Sequence, residues 1–504
     1  MVRTRKEVWK LGTPWNDTLL WYAKAVGELK KRPIAKKTSW RYLAAMHGIE
    51  PTIWTRLGYL KRGEPLPPAS EQERYWKQCQ HQSWYFLPWH RAYVTSFEAI
   101  VRDAVISLHG PSDWALPYWN YSDKRNPNAR TIPLAFREKF LPGGTDENPL
   151  FVAARFGTSV AAGDVDLTNR IADNDFVGID TGAAEGVGGP KTLFSNSGEF
   201  EGLIEAAPHD LVHGDVGGRG GLMSDPRTAA LDPIFWIHHA NIDRLWAVWK
   251  ARDTRNRNPI DANWLNGPAD RPFAIFGVDA KDIPCAPKDV LETTTLDYDY
   301  DDISDPLAGA NRRLMRLGAL AATSNAPLSG DGGREGMKTR PTSELLGASD
   351  KGVKLGKQAV TATVTIASQP REHFSRSFTR SNMLASKPGE PDRVYLNIEN
   401  IRGSNGSSIF DVYLGSKLSS TDAAAKHVGA ISLFGLEEAS NPDGPHGGQG
   451  LTKVLEVTEA VDAMHLGKEL DTGSLDVRIV PRSDVRDEDA ITVGQISLYR
   501  KAAE

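Results

Sequence analysis

The histidines of this 504-residue chain are concentrated in a few short motifs, and eight of the 12 precede residue 240. His209 and His213 are four residues apart. On a helix, side chains at this spacing point the same way and can bind one metal ion. His81 and His90 are nine residues apart and would lie on opposite faces of one continuous helix. We therefore expect His81 on a loop that precedes the helix carrying His90.

Two further histidines, His47 and His239, fall within separate helical patterns. Four helices that direct histidines inward are one way in which helical bundles build a metal core. Sets of three neutral imidazoles suit copper or zinc. Apart from Asp210, neither motif places a carboxylate between its histidines at ligand spacing. This favours redox-active copper over a hydrolytic zinc site.

Four amphipathic segments are predicted to position these side chains. The first is a helix capped by Thr38-Ser39 and stopped by Gly48, and the others cover about 89–108, 203–213 and 235–251. The best linker candidate is 323–352. Beyond it, apolar residues alternate with period two near residues 360, 394, 409, 475 and 491. Short alternating strands separated by turns predict a β-sandwich of about 145 residues.

The composition of the chain argues against nucleic acid and membrane as binding partners. The formal net charge is −4, from 60 basic and 64 acidic side chains, which gives no basic field for nucleic acid. No apolar run approaches the roughly 20 residues that span a bilayer. Two cysteines cannot form a disulfide framework. The first residues lack the apolar core of a secretory signal. These features favour a cytoplasmic protein that acts on small molecules.

Two long motifs resemble the copper signatures of the tyrosinase/catechol oxidase (polyphenol oxidase) family. One is Cys79-Gln-His81-Gln-Ser-Trp-Tyr-Phe-Leu-Pro-Trp-His90-Arg, and the other is Asp232-Pro-Ile-Phe-Trp-Ile-His238-His239. The resemblance implies two copper ions, with O2 as co-substrate. It implies that copper A is bound by His47, His81 and His90, and copper B by His209, His213 and His239. His238 would then lie beside the ligands, although the sequence by itself does not choose between His238 and His239.

The resemblance also implies roles for neighbouring residues. Cys79 would form a thioether to His81, and Glu205 would hold a water near copper B. In the pocket, Phe235 would lie over the metals, and Gly214 would leave the entrance uncrowded. Pro226 and Met223 would be further rim or lining residues. Asp210 stands where many tyrosinases carry Asn. Because a carboxylate is a stronger proton acceptor, we expect Asp210 to support activity on monophenols and at lower pH. Its pKa should be lowered by the charge of the metals.

The same resemblance implies a bacterial member of the family with a plant-like C-terminal domain. We expect a mainly α catalytic domain with a central four-helix bundle at 1–302, a linker at 303–355 and the β-sandwich at 356–504. Tyr298-Asp-Tyr300 should pack on Arg3 or Arg5, and Asp243-Arg244 should serve an ion pair within the domain. The C-terminal domain would cover the copper site until the linker is cut at Arg334, Lys338 or Arg340. The candidates for the covering side chain are Phe374, Phe378 and Phe434.

The implied function is ortho-hydroxylation of monophenols and oxidation of o-diphenols to o-quinones by O2. The alternatives are a catechol oxidase or o-aminophenol oxidase without activity on monophenols, and a hemocyanin-like oxygen carrier. The expected partners are small phenolic substrates and the chain's own C-terminal domain, with no nucleic acid or membrane. The sequence is also compatible with an oligomer.

Overall fold

A computed structural model describes residues 2–178, 182, 186–308, 343–380, 393–416, 418, 425–444 and 447–501. Within these ranges the chain forms a helical half, up to residue 308, and a β-domain that begins at residue 343. No helix in the described ranges combines the length and the apolar character needed to cross a bilayer.

The helical half is organised around long helices that carry the histidines. Its helices are α1 (Asp17–Lys31), α2 (Trp40–His47), α3 (Pro51–Arg56), α4 (Ala69–Tyr75), α5 (Phe86–Ser107), α6 (Asp210–Gly217), α7 (Pro233–Arg252) and α8 (Ala262–Asn266). Helix α5 packs against both α1 and α7. Large aromatic side chains fill the space between them, including Trp40, Trp89 and Trp236, each at most 1% exposed. The predicted histidine-bearing helical core is confirmed.

Capping residues explain where these helices begin. The Ser39 hydroxyl accepts a hydrogen bond from the Tyr42 amide, and Gly48 ends α2, as the sequence predicts. The Asp232 side chain caps α7 in the same way, and Pro233 occupies the first helical position, where it costs no hydrogen bond. Helix α5 begins at Phe86, earlier than the expected residue 89.

The predicted continuous helix over 203–213 is wrong in one respect. Residues Glu205–His209 form a distorted turn, and Ala207, before Pro208, is extended (φ −158°, ψ 134°). Proline cannot donate to the helix ladder and disfavours helical backbone in the residue before it. Regular helix α6 therefore begins only at Asp210.

A buried ionic network ties the start of the chain to the end of the helical half. Strand β1 (Arg3–Arg5) pairs in parallel with β4 (Tyr298–Tyr300), and the Arg5 guanidinium lies 3.6 Å from the centre of the Tyr298 ring. Asp243 on α7 accepts hydrogen bonds from Arg5, from Arg91 on α5 and from both tyrosines. The expected packing of the tyrosine motif on Arg5 is confirmed. Asp243 pairs with these arginines, whereas the neighbouring Arg244 donates to the carbonyl of Asp302.

Two short strands, β2 (Ile275–Phe276) and β3 (Asp282–Ile283), form a hairpin beside α5. The β-domain consists of β5 (Ser343–Ser349), β6 (Val353–Lys354), β7 (Val360–Ile366), β8 (Arg393–Ile401), β9 (Ile409–Gly415), β10 (Lys426–Ser432), β11 (Leu451–Glu456), β12 (Ser474–Pro481), β13 (Thr492–Val493) and β14 (Gln495–Lys501). It also contains helices α9 (Ser368–Arg380), α10 (Leu436–Ser440) and α11 (Thr458–Leu466).

The eight longer strands form one antiparallel sheet in the order β10-β9-β12-β7-β5-β14-β8-β11. Its two edge strands approach each other, since a Cβ on Gly429 of β10 would lie 3.4 Å from Leu455 of β11. The sequence predicts a C-terminal β-domain, which is confirmed, but the strands form one continuous sheet with its own apolar core.

The segment expected to link the two halves is shorter than the predicted 303–355. Strand β5 begins at Ser343 and belongs to the large sheet. The proposed cleavage residues Arg334, Lys338 and Arg340 lie outside the described residues.

The two halves are docked through apolar contacts and ion pairs. Ala207 and Leu211, next to and on α6, pack with Ile409 and Ala430 of the β-domain. Arg482 binds Asp164 at 2.5 Å, Arg219 binds Asp489 at 2.8 Å and Arg393 binds Asp173 at 3.0 Å. Along the edge strand β11, the Thr452 amide donates to the carbonyl of Glu199 at 2.9 Å.

Candidate metal centre

The first histidine cluster brings together His47 from the end of α2, His81 from the loop before α5, and His90 from α5. Their ligand atoms and the sulfur of Cys79 lie within 4.8 Å of one another, and all four side chains are buried. His47 Nδ1 is 2.8 Å from the carbonyl of Pro226, and His90 Nδ1 is 2.8 Å from the carbonyl of Phe86. With Nδ1 held by a carbonyl, Nε2 keeps its lone pair for a metal.

Cys79 lies beside this cluster as a free, buried thiol. Its sulfur is 3.5 Å from His81 Nε2 and 3.4 Å from His90 Nε2. Burial raises the pKa of the thiol well above its ordinary value. The closeness of Cys79 and His81 is compatible with the expected thioether, which stays a prediction.

The second cluster contains His209 at the start of α6, His213 one turn later, and the His238-His239 pair of α7. Their ligand atoms also lie within 4.8 Å of one another. His209 Nδ1 is 2.8 Å from Asp210 Oδ1, and His213 Nδ1 is 2.6 Å from the carbonyl of Met223. In both residues Nε2 is buried without a hydrogen-bond partner. The two clusters contain all six predicted ligands.

The structure brings both members of the α7 pair to the site. His238 Nδ1 lies 3.2 Å from the Tyr121 hydroxyl, and its Nε2 has no partner. His239 has no hydrogen-bond partner at either nitrogen, and its ring stacks on His90 with centroids 4.4 Å apart. His239 therefore lies against a ligand of the first cluster, and its assignment as the copper B ligand stays a prediction.

The donor set fits two copper ions. Burial lowers the pKa of every histidine in both clusters, to about 4 for His47 and about 3 for His213, so the rings are neutral at physiological pH. Unpartnered nitrogen atoms in the protein interior are costly unless something binds them. Converging neutral imidazoles are ligands that copper prefers.

The predicted pocket residues contact the histidines in different ways. The centre of the Phe235 ring lies 4.2 Å from that of the His239 ring and 4.9 Å from that of the His47 ring, and its role over the metals stays a prediction. The main-chain carbonyls of Pro226 and Met223 contact His47 and His213, and Pro226 also lines the cleft beside the first cluster. Gly214 does not face an open mouth, because a Cβ there would lie 2.8 Å from Ile409 of the β-domain.

Three buried carboxylates and one ammonium group lie next to the second cluster. The Lys453 ammonium from β11 binds Glu201, and it lies 3.0 Å from Asp210 Oδ2. The Gln82 side chain donates to Glu201 at 3.2 Å, and the Gln82 amide donates to Glu205 Oε1 at 2.8 Å. The second oxygens of Glu201 and Glu205 are buried without a partner.

Burial has the largest influence on the pKa values of these four side chains. It raises the pKa of Glu201 to about 8, raises that of Glu205 well above its ordinary value and also raises that of Asp210. The last direction is opposite to the expected lowering, which counted the charge of the metals. For Lys453, burial acts to lower the pKa, but the carboxylates Glu201 and Asp210 outweigh it and raise the pKa.

The β-domain also places an aromatic ring on the histidines. Phe434, between β10 and α10, is 1% exposed and packs in the core of the helical half. Its ring is stacked on His213 with centroids 4.3 Å apart, and it lies edge-on to His81 and His209 at 5.6 and 5.8 Å. Of the other two candidates, Phe374 lies in the core of the β-domain, and the side chain of Phe378 is outside the described residues.

Sequence reasoning missed Lys453 and Glu201. A signal for Lys453 was present, since it shares one face of an alternating strand with Leu451 and Leu455, a position normally taken by an apolar side chain. Glu201 lies in an irregular segment with no periodicity to mark it.

A cleft of about 1550 Å³ between the two halves leads to the first cluster. Its lining includes His47, Cys79, His81, Arg271 and Glu437. The first cluster is therefore approached by solvent from the side, whereas the second cluster is covered by Phe434.

Known protein families match both halves of the chain. The common central domain of tyrosinase matches residues 37–152 and 168–252, and a domain of unknown function matches 342–501. A tyrosinase from Hahella sp. (strain CCB-MM4) is 32% identical over 508 residues, which cover 99% of both chains. The latent form of a chloroplastic polyphenol oxidase from Prunus armeniaca is 29% identical over 245 residues, covering 45% of this chain and 39% of the relative.

The solved structure of latent apple tyrosinase superimposes with a TM-score of 0.59 at 20% identity, covering 100% of this chain and 98% of the other, which supports the fold. Full-length similarity to a tyrosinase and two converging sets of neutral histidines lead to one conclusion. The chain belongs to the tyrosinase family of copper-dependent oxidoreductases, which act on phenols with O2.

Proposed function

We propose that this protein is a latent tyrosinase that hydroxylates monophenols, oxidises o-diphenols to o-quinones and is held inactive by its own β-domain. The observation that carries the latency is the stacking of Phe434 on His213. An aromatic ring in this position occupies space that a phenol ring needs in order to approach the histidine clusters. The domain that holds Phe434 must therefore shift before a substrate can bind.

In this proposal the six histidines His47, His81, His90, His209, His213 and His239 hold the two copper ions. When bound, the copper pair supplies the redox chemistry that couples phenol oxidation to the reduction of O2. Main-chain carbonyls and Asp210 fix the orientation of four rings. Phe235 offers an apolar surface on which a substrate ring can pack.

The proton of an incoming phenol needs an acceptor. Glu205 Oε2 is buried and unpartnered beside the second cluster, while Glu205 Oε1 is held by the Gln82 amide. Asp210 Oδ2 becomes available when Lys453 leaves with the β-domain. We propose that these two carboxylate oxygens take the phenol proton, directly or through a water, once the positive charge of the bound copper ions has lowered their pKa values.

The test is oxygen uptake by the copper-loaded full chain with a monophenol and, separately, with its catechol. We expect low uptake that rises at least about tenfold in Phe434→Ala, because the ring no longer fills the site. The matched control is Tyr413→Ala, which removes a ring that packs on His427 within the same sheet. It should leave the low activity unchanged.

Oxygen uptake with the catechol but not with the monophenol would show that the protein is a catechol oxidase rather than a tyrosinase. No uptake from Phe434→Ala with two coppers bound would contradict an enzyme and favour an oxygen carrier. Equal activity of the wild type and Phe434→Ala would show that the ring does not block the substrate.

A further inference from the structure

We propose that Glu201 and Asp210 form an ammonium subsite, which selects phenols that carry a cationic amine once the β-domain has moved away. The inference rests on the proposed function, and it names the substrate class of the same site. In the closed structure the subsite is filled by the ammonium group of Lys453 from β11.

The β-domain places a ring on the second histidine cluster and an ammonium group on the carboxylates beside that cluster. The Phe434 ring stacks on His213, and the Lys453 ammonium contacts Asp210, whose other oxygen contacts His209. Both side chains belong to one domain and would leave together. An aryl alkylamine offers the same pair of groups in one small molecule.

The helical half provides the anionic part without any help from the β-domain. In the docked structure Glu201 is 8% exposed and Asp210 is 0% exposed, and Gln82 of the helical half holds Glu201 in place. Glu201 Oε2 and Glu205 Oε2 have no partner even while Lys453 is present. When Lys453 leaves, Glu201 and Asp210 lose their ammonium partner, and a cationic amine that enters the same place can replace its contacts.

The same carboxylates disfavour substrates that carry a negative charge. A phenol that carries a carboxylate would place it beside Glu201, Glu205 and Asp210, where like charges repel. Neutral phenols would bind through the ring alone. The order of preference should therefore be cationic, then neutral, then anionic substrates.

The first experiment compares dopamine, 4-ethylcatechol and 3,4-dihydroxyphenylacetate as substrates of the Phe434→Ala enzyme after proteolytic release of the β-domain. We expect kcat/KM for dopamine to exceed that for 4-ethylcatechol by about tenfold, the size of one charge-assisted contact. Glu201→Gln should remove most of this ratio, because it should lower kcat/KM for dopamine much more than kcat/KM for 4-ethylcatechol. Glu201 is chosen because it contacts none of the histidines, unlike Asp210.

If 4-ethylcatechol is not oxidised at all, the proposed function fails. If it is oxidised but dopamine has no advantage, or if Glu201→Gln lowers both substrates equally, the ammonium subsite is refuted and the function stands.

The second experiment needs no copper and no turnover. Lys453→Ala in the full chain removes an aminopropyl-sized group from between the carboxylates and should lower Tm. We expect n-propylammonium chloride to raise the Tm of this variant, whereas 1-propanol and sodium chloride should not. The control Arg482→Ala also removes an ion pair between the halves. Equal responses of the two variants to n-propylammonium, or no response of Lys453→Ala, would contradict an ammonium site.

Discussion

At the residue scale, the orientation of the histidines depends on partners that carry no sequence signature. His47, His90 and His213 each contact a main-chain carbonyl through Nδ1, from Pro226, Phe86 and Met223 respectively. A carbonyl is present in every residue, so neither Pro226 nor Met223 was identified for this role. The six predicted ligands themselves were identifiable, because helical spacing and long motifs mark them. Lys453 and Phe434 were harder to identify, since their role depends on how two separately folded halves dock.

Asp210 is the residue whose role can be tested most directly. We expect Asp210→Asn to lower monophenol turnover more than diphenol turnover, because only a monophenol must lose its proton to a base before hydroxylation. The amide oxygen can still contact His209, so copper binding should be retained. The measurement is oxygen uptake with matched mono- and diphenols as a function of pH, since a carboxylate acceptor titrates and an amide does not.

Glu205→Gln serves as the comparison for Asp210, since Glu205 is the other carboxylate with an available oxygen. A larger loss in Glu205→Gln than in Asp210→Asn would make Glu205 the main acceptor. An unchanged monophenol rate and pH profile in Asp210→Asn would refute its role as a base.

At the element scale, the ends of the helices were predictable where a cap or a glycine marks them, as at Ser39 and Gly48. Strands β10 and β11 were missed, because Gly429 and Lys453 interrupt the apolar alternation that identifies a strand. The distorted turn before α6 has a readable cause in Pro208. How that turn positions His209 beside His238 depends on packing between elements.

The network around Asp243 should be the main electrostatic link between β1, β4, α5 and α7. We expect Asp243→Asn to lower the free energy of unfolding by about 3–5 kcal/mol, because Arg91 would stay buried with an uncompensated charge and Arg5 would keep only its pair with Glu98. Burial acts to raise the pKa of Asp243, but Arg91 and Arg5 outweigh it and lower the pKa below its ordinary value. Its contribution is therefore present at neutral pH and is lost as the pH falls below about 4.

Denaturant unfolding of the apo chain at pH 7 measures this cost. Glu28→Gln is the control, because Glu28 pairs with the exposed Lys31 on the surface of α1. A change below about 1 kcal/mol is expected there, as for other surface pairs. Similar losses in both variants would contradict a special role for Asp243.

At the scale of the whole molecule, the covalent connection between the halves would contribute only part of the proposed latency. Apolar contacts at Ile409 and the ion pairs of Arg482, Arg219 and Arg393 remain after the connection is cut. We expect cleaved protein to stay largely inactive when concentrated and to gain specific activity on dilution, because docking becomes a bimolecular equilibrium.

The measurement is specific activity of the trypsin-treated chain against its concentration, with the uncut chain as control. The uncut chain should show no concentration dependence. Full activity of the cleaved chain at every concentration would show that the connection, rather than the docking surface, maintains latency.

The two-part organisation followed from the sequence because the period of the apolar pattern changes along the chain. Which surfaces of the two parts meet could not be predicted, since Arg482 and Asp164 pair across 318 positions of sequence. The docked arrangement also explains why Gly214 contacts Ile409 instead of opening to a substrate.

The contact between Thr452 and Glu199 has a further consequence. Strand β11 is an outer strand of the sheet, and in the closed form the segment around Glu199 runs beside it. A released β-domain would display this edge, and unpaired edges recruit strands from other molecules. Lysine on an edge strand opposes such pairing, so Lys453 would then reduce self-association of the released β-domain. Displacement of the β-domain would thus expose an aggregation-prone strand edge at the same time as it uncovers the catalytic half.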